Sequence, residues 1–120
     1  MRAKNRESDV VKSCLQFLQM HGIFAWRQNT TAIPNGRGGF RRFAGMRGCS
    51  DILGCLTQTV DEGGVVMPMG LLLAVECKKV GGRLTEDQEH FLATVNRLGG
   101  IGICVRDTRE LEEKLRPYLG

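Results

Sequence analysis

The segment GLLLAVECKK, residues 70–79, constrains the fold more than any other part of the chain. Alternate residues of a strand point to opposite faces of a sheet, and here both faces are apolar until Glu76. A strand of this kind is covered on both sides, which is typical of a central strand in an α/β protein. Glu76 and Lys78 share one face, about 6.6 Å apart along the strand. We therefore expect a buried strand that ends in a pair of charges at the edge of the core.

The patterns around this segment predict three helices and four strands. Apolar residues recur every three or four positions from Glu7 to His21, and again between a Thr85 N-cap and Leu98. The predicted order is helix 7–21, strand 23–28, a long loop 29–50, strand 51–60, a turn 61–64, strand 70–77 with an irregular start at Pro68, helix 85–98, strand 101–105 and a last helix from 107 or 108 to about 117. This order predicts an α/β fold with a mixed central sheet and helices on its faces, in one domain over residues 1–120.

Charge is distributed unevenly along the chain, whose formal net charge is +4. Residues 1–50 hold nine basic and two acidic side chains, whereas residues 51–120 hold eight basic and eleven acidic ones. No carboxylate lies between Asp9 and Asp51. Arginine-rich segments without carboxylates suit phosphate partners, because the guanidinium group pairs with two phosphate oxygens at once. The distribution therefore favours a nucleic-acid partner over a merely solvated surface.

Cysteine usage and hydropathy predict the compartment. The five cysteines include no C-x-x-C pair, and three of them lie in apolar stretches. Reduced, buried thiols are thus favoured over disulfides or a zinc site, as expected for an intracellular, cytoplasmic protein. No apolar run is long enough for a membrane span, and no apolar stretch follows the basic N-terminus as it would in a signal peptide. We therefore expect no membrane partner.

Asp51 suggests that the charged strand end is a metal site. It opens the preceding strand, and hairpin pairing can place it beside Glu76. Two carboxylates that are brought together repel each other unless a cation lies between them, and oxygen ligands suit Mg²⁺ or Mn²⁺. The backbone carbonyl of Cys77 can add a ligand, while Lys78 can hold the attacking water or neutralise charge on a phosphate. The alternative is a simple Glu76–Lys78 ion pair that caps the strand.

Two further residues converge on the same place, each with an ordinary structural alternative. Gln88 shares the inward face of the predicted helix with Phe91 and Leu92, but it also completes a capping box with Thr85. Glu7 begins the apolar stripe of the first helix and can reach a second metal ion, directly or through water. The helix macrodipole alone also explains an acidic residue in a first turn.

Taken in order, Glu7, the G-x-S-D-x-x-G motif of residues 48–54, the E-C-K motif of residues 76–78 and Gln88 resemble the VRR-Nuc domain. This is the virus-type replication-repair branch of the PD-(D/E)XK nucleases, and the resemblance spans nearly the whole chain, in the form of a minimal, stand-alone member. One departure is Ser50, because the wider superfamily often has proline before the catalytic aspartate. The resemblance implies a restriction-endonuclease-like α-β-β-β-α-β core with a mixed central sheet flanked by helices.

The resemblance also implies roles for these residues. Asp51, Glu76 and the Cys77 carbonyl would bind Mg²⁺ or Mn²⁺, Lys78 would position the nucleophilic water, Gln88 would orient the lysine and water, and Glu7 would complete the side of a second metal. The implied substrate is DNA, especially branched DNA such as Holliday junctions or flaps, and the implied assembly is a homodimer. The residues expected to contact DNA, largely through its backbone, are Arg27, Gln28, Asn29, Arg37, Arg41, Arg42 and Arg47.

Two other functions fit the same residues. The charged cluster can be a purely structural ion network in a non-catalytic DNA-binding or assembly module. The same chemistry also serves a ribonuclease or a hydrolase of smaller phosphodiesters.

Overall fold

The computed structural model describes residues 6–28, 33–34, 40–41 and 46–119. Its elements follow one another as α1 (Glu7–Met20), β1 (Phe24–Arg27), β2 (Ile33–Pro34), β3 (Phe40–Arg41), β4 (Ile52–Glu62), β5 (Val65–Cys77), α2 (Glu86–Arg97), β6 (Ile101–Val105) and α3 (Thr108–Leu115), with a 3₁₀ turn at Arg116–Tyr118. Strands β1, β4, β5 and β6 form a sheet in that order, antiparallel except for the parallel pair β5–β6. The predicted mixed α/β fold is confirmed, and the order α1-β1-β4-β5-α2-β6 matches the expected core.

Helices cover both faces of the sheet, as the apolar β5 sequence requires. On one face, β5 residues such as Leu73 and Val75 pack against α1 and α3 in the main core. On the other face, Ala74 packs against Leu92 and Val95 of α2 in a smaller core. The end of β5 therefore lies between helices from both sides, where side chains lose contact with water.

Local signals set the helix boundaries. The Thr85 hydroxyl accepts a hydrogen bond from the backbone N–H of Gln88 at 3.2 Å, and the Asp107 carboxylate accepts one from the backbone N–H of Glu110 at 2.8 Å. These bonds satisfy N–H groups that have no partner within the helix. Gly22 follows α1 with a φ of +70°, the left-handed conformation that commonly ends a helix. Among the helices of the described residues, none is long and apolar enough to cross a membrane.

The hairpin between β4 and β5 is longer than predicted. The expected turn at 61–64 and the expected strand start near Pro68 were wrong, because β4 continues to Glu62 and β5 begins at Val65. Only Gly63 and Gly64 form the turn, with φ values of +58° and +83°, as a tight hairpin turn requires. Pro68 fits in β5 because its backbone nitrogen points away from β4. The strand edge on that side is open at Pro68, since β6 pairs only with Leu73–Cys77, so no ladder hydrogen bond is lost.

Residues 57–70 of this hairpin form a two-stranded ribbon that is exposed except for the half-buried Val60, and we call this ribbon the arm. Strand alternation places Val60, Val65, Met67 and Met69 on the face that α1 and α3 cover farther along the sheet. In the arm this face is largely exposed, including Met67 at 56%. The loop predicted at 29–50 differs as well, because β2 and β3 pair within it through Ile33–Arg41 and Pro34–Phe40.

Candidate active site

The site lies where β5 ends, between the start of β4 and the N-terminal turns of α1 and α2. The β4–β5 register pairs Ile52 with Val75, so Asp51 comes beside Glu76. The Asp51 Oδ2 atom accepts a hydrogen bond from the Cys77 amide at 2.8 Å. On the other side, the Asp51 carbonyl accepts one from the Gln28 amide at 2.7 Å. Asp51 is thus fixed between β1 and β5, with its carboxylate at the edge of the core.

Glu76 is almost completely buried, with 2% of its surface exposed. Its Oε1 atom accepts a hydrogen bond from Gln88 Nε2 at 2.9 Å, while its Oε2 atom is buried without a hydrogen-bond partner among the described residues. Burial is the main cause that raises the pKa of this carboxyl to about 8. The negative charge of Asp51 and a hydrogen bond that the protonated Glu76 shares with the Asp51 side chain add to the shift, while Lys78 opposes it. A buried carboxyl beside a second carboxylate favours the protonated form or a nearby cation.

Lys78 is the cation nearest to this pair in sequence, and it too is buried. Only 7% of the residue is exposed, and its amide donates to the Val105 carbonyl at 3.0 Å. Its Nζ atom lies 3.7 Å from Oε1 of Glu7, whose side chain is 44% exposed. The first helix therefore places the Glu7 carboxylate next to the Lys78 ammonium group. Glu7 joins the site through this contact with Lys78.

Gln88 combines the two roles that its sequence context left open. Its Oε1 atom accepts a hydrogen bond from the Thr85 amide at 2.9 Å, which completes the capping box. Its Nε2 atom donates at 2.9 Å to Glu76. The expected contact of Gln88 with the lysine and a water stays a prediction, since the hydrogen bonds seen here hold Gln88 to the helix start and to the carboxyl.

Gly48 explains how the segment before Asp51 packs so close to α2. Its φ is +70°, and a β-carbon at this position would lie 2.1 Å from the Asp87 carbonyl oxygen and 2.7 Å from the Gln88 nitrogen. No side chain fits at that distance, so only glycine allows this approach. Ser50, between Gly48 and Asp51, is fully buried and its Oγ atom has no partner among the described residues.

These residues suit a hard divalent cation. The unpartnered Oε2 of Glu76 and the neighbouring Asp51 carboxylate offer two anionic oxygens. The Cys77 amide faces Asp51, and because the amide and carbonyl of a strand residue point to the same side, the Cys77 carbonyl faces it too. Within residues 6–28 and 46–119, no cluster of three His, Cys, Asp or Glu side chains forms a metal cage. Mg²⁺ is commonly held by one or two carboxylates with water and substrate phosphate, so two carboxylates suffice.

The residues expected to contact DNA divide into two groups. Arg27 and Arg47 are exposed, and Gln28 is half-buried with its side-chain oxygen accepting the Trp26 indole N–H at 3.2 Å. The backbone of Arg41 lies in β3. The others lie outside the described residues, namely Asn29, Arg37 and Arg42.

A groove beside α2 was not predicted from the sequence. Its volume is about 620 Å³, and it lies between the second half of α2 and the middle of β5, with Met46 and Arg47 at its edge. The apolar stripe of α2 indicated core packing, yet only Leu92 and Val95 are buried, whereas Leu98 is 72% exposed. The signal that could have revealed the groove is this stripe, which is longer than the sheet can cover.

Comparison with known proteins found no matching protein-family model, no matching curated protein and no matching solved structure.

Proposed function

We propose that this chain is a metal-dependent nuclease that hydrolyses phosphodiester bonds in DNA, as its resemblance to VRR-Nuc domains implies. The observation that carries the proposal is Glu76. Glu76 is almost completely buried next to Asp51, its Oε2 atom has no donor among the described residues, and its pKa is raised to about 8, so its charged form is costly unless a cation lies beside it. A divalent cation between Glu76 and Asp51 satisfies both carboxylates.

The expected cofactor is Mg²⁺ or Mn²⁺, held by Asp51, Glu76 and the Cys77 carbonyl. When bound, such an ion polarises the phosphate and lowers the pKa of a bound water. Asp51 is oriented by the Cys77 amide, and Glu76 by the Gln88 side chain. Both carboxylates are thus positioned before any ligand arrives, which is how pre-organised sites avoid reorganisation during reaction.

Lys78 supplies the positive charge on the reacting side. Its buried ammonium group can hold the attacking water or stabilise negative charge as it builds on the phosphate. Glu7 keeps this ammonium oriented through the 3.7 Å contact between Nζ and Oε1. Glu7 is also accessible enough to take the expected place beside a second metal, because much of its side chain is exposed.

DNA is the proposed substrate, and branched DNA its preferred form. The charge distribution supports this proposal, since Arg27, which pairs with Ile52, and Arg47, which precedes Gly48, are exposed and belong to a segment without carboxylates from residue 10 to 50. All five cysteines are free thiols, which supports the proposed intracellular location.

A cleavage assay tests the proposal. Labelled four-way junctions, flaps, nicked duplexes, single strands and plain duplexes are incubated with Mg²⁺, with Mn²⁺ or with chelator. We expect metal-dependent cutting of branched DNA, and a loss of roughly 100-fold or more in Lys78→Met, as for removal of other groups that stabilise transition-state charge.

Lys79→Met is the matched control, because Lys79 is the exposed neighbour of Lys78. It should cut within a few-fold of the parent protein. Unimpaired cutting by Glu76→Gln or Lys78→Met would remove these residues from the mechanism. An RNA series of the same shapes separates a ribonuclease from a DNA nuclease.

We further propose a second copy of the chain as partner, bound through the arm. Val65, Met67 and Met69 are exposed on one face beside the half-buried Val60, and this supports the proposal because contiguous exposed apolar residues mark interaction sites. Strands β4 and β5 contain Asp61, Glu62 and Glu76 but no lysine or arginine, so the arm does not attract phosphate. A two-fold pairing of identical apolar faces satisfies both observations and gives two active sites.

A non-catalytic binding module is the second candidate. The contacts Gln88–Glu76 and Lys78–Glu7 favour it, because a structural polar network would make the same internal bonds. Calorimetry with Mn²⁺ separates the two functions, since a structural network should give no heat that depends on Asp51 and Glu76.

A further inference from the structure

The groove beside α2 has no role in the chemistry proposed above, although it lies next to it. Along α2, Gln88 precedes Phe91 by three residues, which is about 4.5 Å of helix, and the groove continues to Leu98. At its edge, Met46 and Arg47 lead directly into Gly48, which packs on the α2 backbone beside Gln88. The groove therefore begins within one turn of α2 from Gln88, close enough to receive a nucleotide next to a phosphate in the candidate active site.

The lining suits a base better than a fully polar ligand. The rings of His90 and Phe91 and the side chains of Met46, Leu72 and Val95 give a mostly apolar interior, while Arg47 provides a guanidinium at the edge. A nucleobase has apolar faces that stack on aromatic rings, and its phosphate pairs with arginine. The volume of about 620 Å³ is within the range of sites for small organic ligands.

We propose that this groove binds one unpaired nucleobase of the substrate strand, with Arg47 holding an adjacent phosphate. This inference rests on the proposed nuclease function and deepens it. Bases within a duplex are stacked and cannot enter the groove, whereas an unpaired nucleotide at a branch or bulge can. The groove thus gives a physical reason for preference toward branched DNA that needs no reading of sequence.

Binding is measured in a Lys78→Met background with chelator, so that the DNA stays intact. The probes are two DNA hairpins that differ by one unpaired nucleotide, which is 2-aminopurine in the fluorescent version. Stacking of one base contributes a factor of roughly 5 to 100 in affinity. We expect a preference of that size for the hairpin with the unpaired base, and a change in 2-aminopurine fluorescence on binding.

Thr94→Trp fills the groove, and Ala93→Trp places the same side chain on the exposed side of α2. The first variant should abolish the preference and the second should keep it. Leu98→Glu adds a charge at an exposed lining position, with Met20→Glu on the exposed end of α1 as its control. Circular dichroism shows whether Thr94→Trp is folded. If it is not, Leu98→Glu and its control still test the groove.

Equal affinity of the parent for both hairpins, or an unchanged preference in folded Thr94→Trp and in Leu98→Glu, overturns the groove proposal. So does a result in which Thr94→Trp alters only sedimentation, which would assign the groove to contact between copies of the chain. Cleavage assays separate this failure from failure of the nuclease proposal. A protein that cuts DNA without the preference disproves the groove alone, and one that shows the preference without cutting disproves the nuclease alone.

Discussion

Glu76 links the stability of the fold to the proposed metal site. Its position in β5 follows from strand alternation, but its energy follows from the groups around it: α2 excludes water, Asp51 repels negative charge and Gln88 donates one hydrogen bond. Without a cation, the protonated form is favoured because the pKa is raised. The same surroundings that make the free carboxylate costly make a bound divalent ion favourable.

The first prediction concerns pH. The pKa of Glu76 is raised from an ordinary value of 4.5 to about 8 in the folded protein. Between these two pH values, Glu76 is protonated in the folded state but has lost its proton in the unfolded state. Stability therefore falls as pH rises across this window, by roughly 1–3 kcal/mol after allowance for relaxation. Glu76→Gln should flatten this fall, as measured by urea unfolding in chelator from pH 5 to 8.5.

An equally steep fall in Glu76→Gln would assign the pH dependence to other groups. Glu62→Gln, at the exposed end of β4, is the control and should retain the slope of the parent.

The second prediction concerns Gln88. Gln88→Glu keeps an oxygen to accept the Thr85 amide, so the capping box survives, but it replaces the N–H donor to Glu76 by a third carboxylate. We expect little change in helix stability and a loss of roughly 10- to 100-fold in cleavage activity, because Glu76 loses the group that orients it. Cleavage assays and thermal unfolding measure the two effects separately.

Glu89→Gln, on the exposed side of the same turn, should leave both quantities unchanged. If Gln88→Glu cuts DNA as well as the parent protein does, Gln88 is only a helix cap.

At the scale of elements, α2 supports the site from its first turn. It covers the sheet face that carries Glu76, presents Gln88, and receives the Gly48 turn on its backbone. The loop before β4 and the helix after β5 are far apart in sequence, and they meet only because Gly48 has no side chain. The contact holds the segment that precedes Asp51 against the first turn of α2.

The third prediction tests this contact. Gly48→Ala places a β-carbon 2.1 Å from the Asp87 carbonyl oxygen, at a φ of +70°. Gly22→Ala has the same φ of +70° but nothing within 4 Å, so it isolates the backbone cost, which is about 1–2 kcal/mol. Gly48→Ala should cost roughly 1–3 kcal/mol more than this control, and should impair cleavage.

Unfolding in urea gives both free energies. Equal losses in the two alanine variants would show that the loop moves away from α2 without cost, and that the contact does not define the site.

At the scale of the whole molecule, the sheet has two parts with different surroundings. The body is covered by helices on both faces, whereas the arm leaves an apolar face exposed. Pro68 lies on the open edge of the arm and hinders pairing of strands edge to edge. Contact through the face is thus the arrangement by which a second copy would cover the arm.

The fourth prediction follows from this arrangement. The parent should sediment as a dimer, and Met67→Glu should weaken dimerisation by at least 10-fold, because it buries a charge in the proposed interface. Thr59→Glu, on the opposite face of the arm, is the control and should remain dimeric. A monomeric parent, or a dimer that is insensitive to Met67→Glu, contradicts the proposal.

The sequence by itself determined the order of the elements and the position of most of the site. The periodicities of α1 and α2, the Thr85 cap, and the apolar run that ends at Glu76 are local signals, because each depends on residues within a few positions of one another. They predicted a central β5 strand and the candidates Asp51, Glu76, Lys78, Glu7 and Gln88, which the fold brings to one place. The predicted length of the β4–β5 hairpin was wrong, because the sequence around Pro68 does not show which edge of the strand stays open.

Only the tertiary structure decided which atoms touch within that place. The second bond of Gln88, the pairing of Lys78 with Glu7, the unpartnered Oε2 of Glu76 and the groove beside α2 all depend on contacts between segments distant in sequence. The physical reason is that burial and charge act through space. The pKa of Glu76 is set by side chains and solvent exclusion from three different elements, which no local pattern of residues records.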